Sequence, residues 1–100
     1  MQIEWSEFAL NDREAIFDYI LQDSSNAAVA VDDRIERQVE NLAQFPEMGR
    51  PGRIEQTREL VIQRTPYIVA YYIHNEVVLI LRVLHGARQW PEDLNELLDK

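Results

Sequence analysis

The apolar residues of the second half of the chain fall into three closely spaced runs. These runs cover residues 60–62, 67–73 and 77–84, and they are rich in β-branched and aromatic side chains. Short runs of this composition, separated by segments that contain Pro or Asn, are typical of consecutive antiparallel strands joined by tight turns. Because the last two runs are apolar at nearly every position, we expect their hairpin at the centre of a sheet with both faces at least partly covered.

The N-terminal segment changes from a strand pattern to a helix pattern. Residues 2–5 alternate polar and apolar side chains, which predicts a short edge strand with Ile3 and Trp5 facing the core. Ser6 stands where a helix N-cap belongs, and we predict a first helix over residues 7–22. Its expected apolar face consists of Leu10, Ile16, Phe17, Tyr19 and Ile20.

A polar break at residues 23–26 offers caps for a second helix, predicted over residues 27–44. Apolar side chains at steps of three and four form one stripe along it: Ala28, Val31, Ile35, Val39 and Leu42. The stripe fits either a coiled-coil partner or a sheet, and we favour the sheet because the strands of this chain need a cover. The two helices should therefore form a hairpin across one face of the sheet.

Residues 45–53 form the only stretch rich in Pro and Gly and predict a connecting loop. The last ten residues, 91–100, begin with Pro and acidic side chains and predict a short terminal helix. The predicted order is β-α-α-β-β-β-α, an α+β fold in which a helical hairpin packs on a small, mainly antiparallel sheet. At 100 residues we expect a single domain over 1–100.

Composition narrows the class of protein. No apolar run approaches the ~20 residues of a membrane helix, and the N-terminus lacks the basic start and apolar core of a signal peptide. Without cysteine the chain has no disulfide framework or thiolate metal site. We therefore expect a cytoplasmic protein without a cofactor or a metal, because its two histidines lack metal-ligand spacing.

The charge is uneven along the chain. The formal net charge of −8 disfavours general nucleic-acid binding, since that affinity comes mainly from neutralising phosphates. Six of the nine arginines nevertheless lie between residues 46 and 90: Arg50, Arg53, Arg58, Arg64, Arg82 and Arg88. Arginine suits paired contacts with carboxylates, phosphates and aromatic rings, so this segment is where we expect specific partners to bind.

Candidate chemistry gathers after the last strand. His85, Arg88 and Trp90 follow it, and Arg82 with several Arg and Tyr residues lies on the strands. A ribonuclease that uses the 2′-hydroxyl needs a base, an acid and cations for the phosphorane charge, which such residues could supply. The alternatives are structural: the histidine caps or packs, and Arg82 pairs with Glu59 or Glu76 across the sheet.

Two segments carry a resemblance to a known superfamily. They are TRELVIQRTPYIVAYYI (57–73), preceded by GRPGR (49–53), and VVLILRVLHGARQWP (77–91). With the size and element order, they resemble the RelE/ParE superfamily of toxins of type II toxin–antitoxin systems. The resemblance implies a small growth-inhibiting toxin neutralised by a cognate antitoxin of ParD or RelB type, with operator DNA bound only through the antitoxin. The resemblance also implies that the toxin does not bind a membrane.

The superfamily includes two activities, and the sequence favours one of them. RelE-like toxins cleave mRNA in the ribosome with a basic cluster, whereas ParE-like toxins act on DNA gyrase. Here Ile68 follows Tyr67 where RelE-like toxins carry Arg, and Glu59 stands among the thinned basic residues. We therefore favour ParE-like action on gyrase.

The alternatives and the site residues remain predictions at this point. If the protein is instead a ribosome-dependent mRNA endoribonuclease, the predicted catalytic residues are His85, Arg88 and Arg82. An inactive relative that serves only as the partner of a repressor is the third possibility. The residues predicted to bind the antitoxin are Arg58, Arg64, Tyr67 and Trp90.

Overall fold

The computed structural model describes residues 1–87. It contains β1 (Gln2–Trp5), α1 (Glu7–Leu21), α2 (Ser25–Glu40), a 3₁₀ turn (Asn41–Ala43), β2 (Arg50–Pro51), β3 (Arg58–Val61), β4 (Tyr67–His74) and β5 (Val77–His85). The predicted α+β order is confirmed, with one addition, because two residues of the predicted loop form β2. The predicted terminal helix, Arg88 and Trp90 lie outside the described residues.

Serine side chains start both helices. Ser6 Oγ accepts a hydrogen bond from Ala9 N–H at 3.0 Å, and Ser24 Oγ accepts one from Ala27 N–H at 3.1 Å. These bonds satisfy amides that have no partner inside the helix. The predicted second helix extended too far, because α2 ends at Glu40 and only a 3₁₀ turn continues to Ala43.

The sheet has five strands in the order β1-β5-β4-β3-β2. β1 pairs parallel with β5, and every other pair is antiparallel, so the mainly antiparallel sheet is confirmed. The β4–β5 hairpin lies inside the sheet, as predicted. Its turn places Asn75 and Glu76 at φ values of 50° and 64°, the two positive angles that a type I′ hairpin turn requires.

The helical hairpin and one sheet face enclose the core. The predicted stripe on α2 is confirmed: Ala28, Ile35, Val39 and Leu42 are fully buried and Val31 packs beside them. On α1 the predicted face is partly wrong. Ile16 and Ile20 pack on the core, but Ala9 is the buried residue, while Leu10 and Tyr19 are 49% and 64% exposed.

One arginine ties the two helices together. Arg13 on α1 binds Asp32 and Glu36 on α2, each with a 2.9 Å contact, and its guanidinium lies 4.7 Å from the centre of the Trp5 ring. Burial alone would lower the pKa of Arg13, but the hydrogen bonds to the two carboxylates outweigh it and raise the pKa. The hairpin therefore has a fixed geometry over the sheet. Among residues 1–87, no helix is long and apolar enough to cross a membrane.

Candidate functional site

A groove of about 560 Å³ opens between α1 and the ends of the two central strands. Its helix side consists of Asp12, Ala15, Ile16 and Tyr19, and its sheet side of Pro66, Tyr67, Val83, Leu84 and His85. The groove exists because β1 pairs only with Val77–Ile80 of β5. Beyond Ile80, α1 takes the place of a neighbouring strand and diverges from the sheet.

At the end of the groove nearest β1, the N-cap of α1 and one of its side chains bind the edge of β5. Ser6 N–H donates to Ile80 C=O at 2.9 Å, and Ser6 Oγ donates to Leu81 C=O at 2.8 Å. Asp12 then accepts a hydrogen bond from Val83 N–H at 2.9 Å. An unpaired strand edge is thereby closed by a helix rather than by another strand.

Arg82 completes this junction, and its predicted partner is corrected. Its Nε and Nη2 bind the two carboxylate oxygens of Asp12 at 2.7 and 2.9 Å. The structural alternative had been a pairing of Arg82 with Glu59 or Glu76, but Asp12 binds it because α1 runs along the β5 edge. A bulge opposite Ala70 and Tyr71 makes Leu81 an extra residue there and can redirect the side chain that follows.

His85 lies at the upper end of the groove. Its ring packs edge-on against the Tyr67 ring, with centroids 5.8 Å apart. Its Nδ1 accepts a hydrogen bond from Ala87 N–H at 3.2 Å, so the neutral ring carries its proton on Nε2. Of the predicted site residues within 1–87, His85 and Tyr67 lie in contact.

The two arginines predicted to bind the antitoxin, Arg58 and Arg64, lie in different environments. Arg58 donates through Nη1 to Gly49 C=O at 2.7 Å and to Glu47 C=O at 3.2 Å, so it holds the loop before β2. Arg64 lies exposed in the β3–β4 turn at φ 66°. That left-handed conformation is costly for a residue other than Gly or Asn.

The sequence analysis missed the role of Glu59. This carboxylate is only 2% exposed, and it binds Arg50 at 3.1 Å and both the backbone N–H and the side chain of Arg53, at 2.8 and 3.3 Å. Buried carboxylates are normally paired in this way. The sequence did contain a signal for this pairing, because Glu59 is a single acidic residue in an apolar strand that follows an Arg-rich loop.

The polar groups of residues 1–87 do not converge on one reacting centre. Arg82 is bound to Asp12 and Arg58 to loop carbonyls, while Arg64 lies in a separate turn. Within the same residues no group of three or more His, Asp or Glu could hold a metal ion. The groove is instead a cleft of mixed polar and apolar surface, with Tyr19, Tyr67 and His85 among its lining residues, and such a surface suits a protein segment.

Comparisons with known proteins identify the class. The family model for the ParE toxin of the type II toxin–antitoxin system parDE matches residues 3–90. A Sinorhizobium fredii protein classed as a toxin, Y4kP, is 45% identical over 93% of this chain and 96% of its own length. Toxin RelE2 of Caulobacter vibrioides is 40% identical over 87% of this chain and 97% of its own length.

A solved structure agrees with the sequence relatives. A chain of the chromosomal ParDE system from P. aeruginosa superposes with a TM-score of 0.77 at 26% identity, covering 85% of this chain and 95% of that one. The protein is therefore a toxin of a type II toxin–antitoxin system, in the RelE/ParE superfamily. Within that class, the chain belongs to the ParE toxin family.

Proposed function

We propose that this toxin arrests growth by a ParE-like action on DNA gyrase, without cleaving RNA, and that a cognate antitoxin neutralises it by occupying the groove. The observation that carries the first part is the Asp12–Arg82 pair. Arg82 is the most central of the predicted catalytic cations, and its guanidinium is bound at two points by a carboxylate. A cation neutralised inside the fold contributes little to the charge of a reacting phosphate.

The surrounding charges favour the same interpretation. Arg58 is bound to two carbonyl groups, and Glu59 brings a buried negative charge between Arg50 and Arg53. With a net charge of −8, the protein would approach a site walled by RNA against an unfavourable field. A toxin that binds a protein target does not need a positively charged surface.

The antitoxin proposal is supported by the shape and chemistry of the groove. It is lined by Ala15, Ile16 and the Tyr67 ring, which offer apolar surface for side chains of a bound segment. Arg64 lies exposed on the turn before Tyr67, where it can meet a carboxylate at the edge of such a segment. The solved ParDE relative belongs to a toxin–antitoxin system.

A second candidate function, ribosome-dependent mRNA cleavage, is favoured by one observation. The His85 ring lies at the rim of the groove against the Tyr67 ring, where its imidazole could exchange a proton with an RNA substrate. Arg88 would be its cationic partner. The name of the relative RelE2 agrees with this alternative, while the likeness to a chain of a ParDE system agrees with the first.

Expression of the isolated gene under a tight inducer separates the two functions. DNA and protein synthesis are followed by pulse labelling, and purified toxin is added to a gyrase supercoiling assay. We expect an early fall in DNA synthesis and inhibition of supercoiling, with protein synthesis falling later. Early loss of translation with cleaved transcripts would overturn the gyrase proposal, and growth without arrest would overturn both.

Two histidine variants refine the same experiment. His85→Ala removes the candidate acid, and His74→Ala alters the other histidine, which is exposed at the far end of β4. Under the gyrase proposal, neither variant abolishes arrest by removing a chemical step, so both keep the DNA-synthesis phenotype. A selective loss of transcript cleavage in His85→Ala, with His74→Ala still cleaving, would establish the ribonuclease.

A further inference from the structure

The loop between the 3₁₀ turn and β2 exposes two large apolar side chains around one hollow. Phe45 is 61% exposed and Met48 is 52% exposed. Together with Pro46 and Glu47 they line a shallow hollow of about 390 Å³. A single exposed apolar side chain is ordinary on a protein surface, but Phe and Met are both enriched where proteins bind one another. Residues 45–48, which we call the apolar loop, are therefore a candidate interaction surface.

The backbone of the apolar loop is fixed by two side chains of the sheet. The hydroxyl of Tyr71 donates to Pro46 C=O at 2.7 Å and accepts from Gly49 N–H at 2.9 Å. Glycine permits this approach, because a Cβ at Gly49 would lie 2.6 Å from the Tyr71 oxygen. Arg58 donates to Glu47 C=O at 3.2 Å. A surface that is ordered before binding loses little conformational entropy when a partner docks on it.

The charge at the hollow indicates what kind of partner fits it. Glu47 is exposed, and within residues 1–87 it forms no ion pair. Arg50 is already paired with Glu59, and Arg58 directs its guanidinium at the loop carbonyls. Two copies of this chain, each with a net charge of −8, would bring like charges together at this surface. A partner with basic groups around an apolar pocket is complementary to it.

The apolar loop also lies apart from the groove. None of residues 45–49 lines the groove, which consists of α1, Pro66, Tyr67 and the end of β5. The loop instead follows the end of α2 and contacts β4 through Tyr71, in the middle of that strand. Substitutions on one surface can therefore be tested without altering the other.

We infer that the apolar loop is the surface through which the toxin docks on its protein target, at an apolar pocket flanked by basic side chains. This inference rests on the proposed action on gyrase and names the part of the toxin that makes the contact. The Phe45 ring is the anchor, since buried aromatic side chains dominate the energy of many interfaces. Met48 adapts to the wall of the pocket. Because the two surfaces share no residue, an antitoxin in the groove would obstruct the large target by its bulk rather than by covering the loop.

The first test removes the apolar side chains. The double variant Phe45→Ser with Met48→Ser is compared with Val29→Ser, whose side chain is 59% exposed near the start of α2. Purified full-length toxins are titrated into a gyrase supercoiling assay, and urea unfolding checks that each variant is folded. We expect the double variant to need at least about 30-fold more toxin for half-inhibition, whereas Val29→Ser inhibits like the wild type.

The second test reverses the charge at the hollow and keeps both apolar side chains. Glu47→Lys is compared with Asp18→Lys, an equal change of charge at an exposed carboxylate on α1. A basic partner surface would repel the new lysine, so we expect Glu47→Lys to need about tenfold more toxin for half-inhibition than Asp18→Lys does. Equal inhibition by the two variants, or stronger inhibition by Glu47→Lys, would overturn the basic partner surface.

Further outcomes separate this inference from the proposed function. If the double variant inhibits gyrase as strongly as the wild type, the apolar loop is not the docking surface, while the action on gyrase stands. If the wild-type toxin itself does not inhibit, the proposed function is overturned. Calorimetry with the product of the adjacent small gene should give unchanged affinity for the double variant, and an equal loss there would assign the loop to the antitoxin. A wild-type dimer in sedimentation that the double variant lacks would assign it to a second copy. Either result would overturn the inference.

Discussion

The groove has two halves, and they differ in whether the fold supplies hydrogen-bond partners to the edge of β5 within the described residues. In the lower half, the N-cap Ser6 and Asp12 of α1 bind Ile80 C=O, Leu81 C=O and Val83 N–H. In the upper half, α1 presents Ala15 and Tyr19, and no side chain of the described chain binds His85 N–H. A strand edge needs a partner, so the closed half stabilises the fold, and the open half is where we propose that the antitoxin binds.

The two halves should also differ in how much a substitution changes the free energy of unfolding. The closed half contains a charge pair whose side chains are only 13% and 15% exposed for Arg82 and Asp12. Removing a partner from such a pair leaves a charge with little access to water, which is costly. Changes in the closed half should therefore act on stability, and changes in the open half should act on binding.

The largest effect is expected from Asp12→Ala. It removes both contacts to Arg82 and the acceptor for Val83 N–H, so we expect the free energy of unfolding to fall by about 3 kcal/mol. Urea unfolding followed by circular dichroism measures it. The matched control is Asp33→Ala, which breaks an exposed pair with Arg37 and should cost less than about 0.5 kcal/mol. Equal losses would show that the closed half is not special.

A second closed junction gives the next effect. Tyr71 is fully buried, and its hydroxyl donates to Pro46 C=O at 2.7 Å and accepts from Gly49 N–H at 2.9 Å. Tyr71→Phe leaves both groups without that partner and should cost about 2 kcal/mol in thermal or urea unfolding. Tyr19→Phe, at an exposed tyrosine in the groove, is the control and should change stability little.

The same hydroxyl predicts an alkaline limit. Burial raises the pKa of Tyr71 above its ordinary value of 10.0. The folded state therefore retains a proton that the unfolded state loses, so this contribution is complete below pH 10 and is lost as pH rises through the folded pKa. Between pH 9 and pH 11, wild-type stability should fall more steeply than that of Tyr71→Phe. If the stability of the two proteins fell equally with pH, the loss could not be attributed to ionisation of Tyr71.

Periodic features of the sequence were sufficient to predict the frame of the fold. The serine caps, the stripe on α2 and the central hairpin all follow local rules and were confirmed. The face of α1 was not, because this helix covers the edge of the sheet rather than its middle. Its side toward β5 lines a groove, so Tyr19 is exposed although its spacing resembles that of a core residue.

The candidate site was harder to predict for a related reason. His85 and Tyr67 were singled out because both lie at the ends of strands that the pattern defines, and the fold places their rings in contact; their roles stay predictions. The partner of Arg82 was missed because Asp12 precedes it by 70 residues and only the path of α1 brings the two together. A pattern within one element cannot report a contact between elements.

The open half gives a prediction of an effect on binding alone. Ala15→Trp fills the groove from α1 without touching the Asp12–Arg82 pair, so we expect the affinity for the antitoxin to fall at least about tenfold, or about 1.4 kcal/mol. Isothermal titration calorimetry measures this. Ala27→Trp, an exposed alanine on α2 away from the groove, is the control. A similar loss in both variants would mean that the antitoxin does not use the groove.

The smallest effect concerns a turn remote from both halves. Glu76 adopts φ 64° in the β4–β5 turn, where glycine carries no steric penalty, so Glu76→Gly should raise the free energy of unfolding by about 0.5 to 1 kcal/mol. Asn75→Gly should gain less, because Asn tolerates this conformation. Since the turn lies at the opposite end of β5, affinity for the antitoxin should not change. Altered affinity in a stabilised Glu76→Gly toxin would show that stability and binding are coupled through the sheet, against the separation of the two halves.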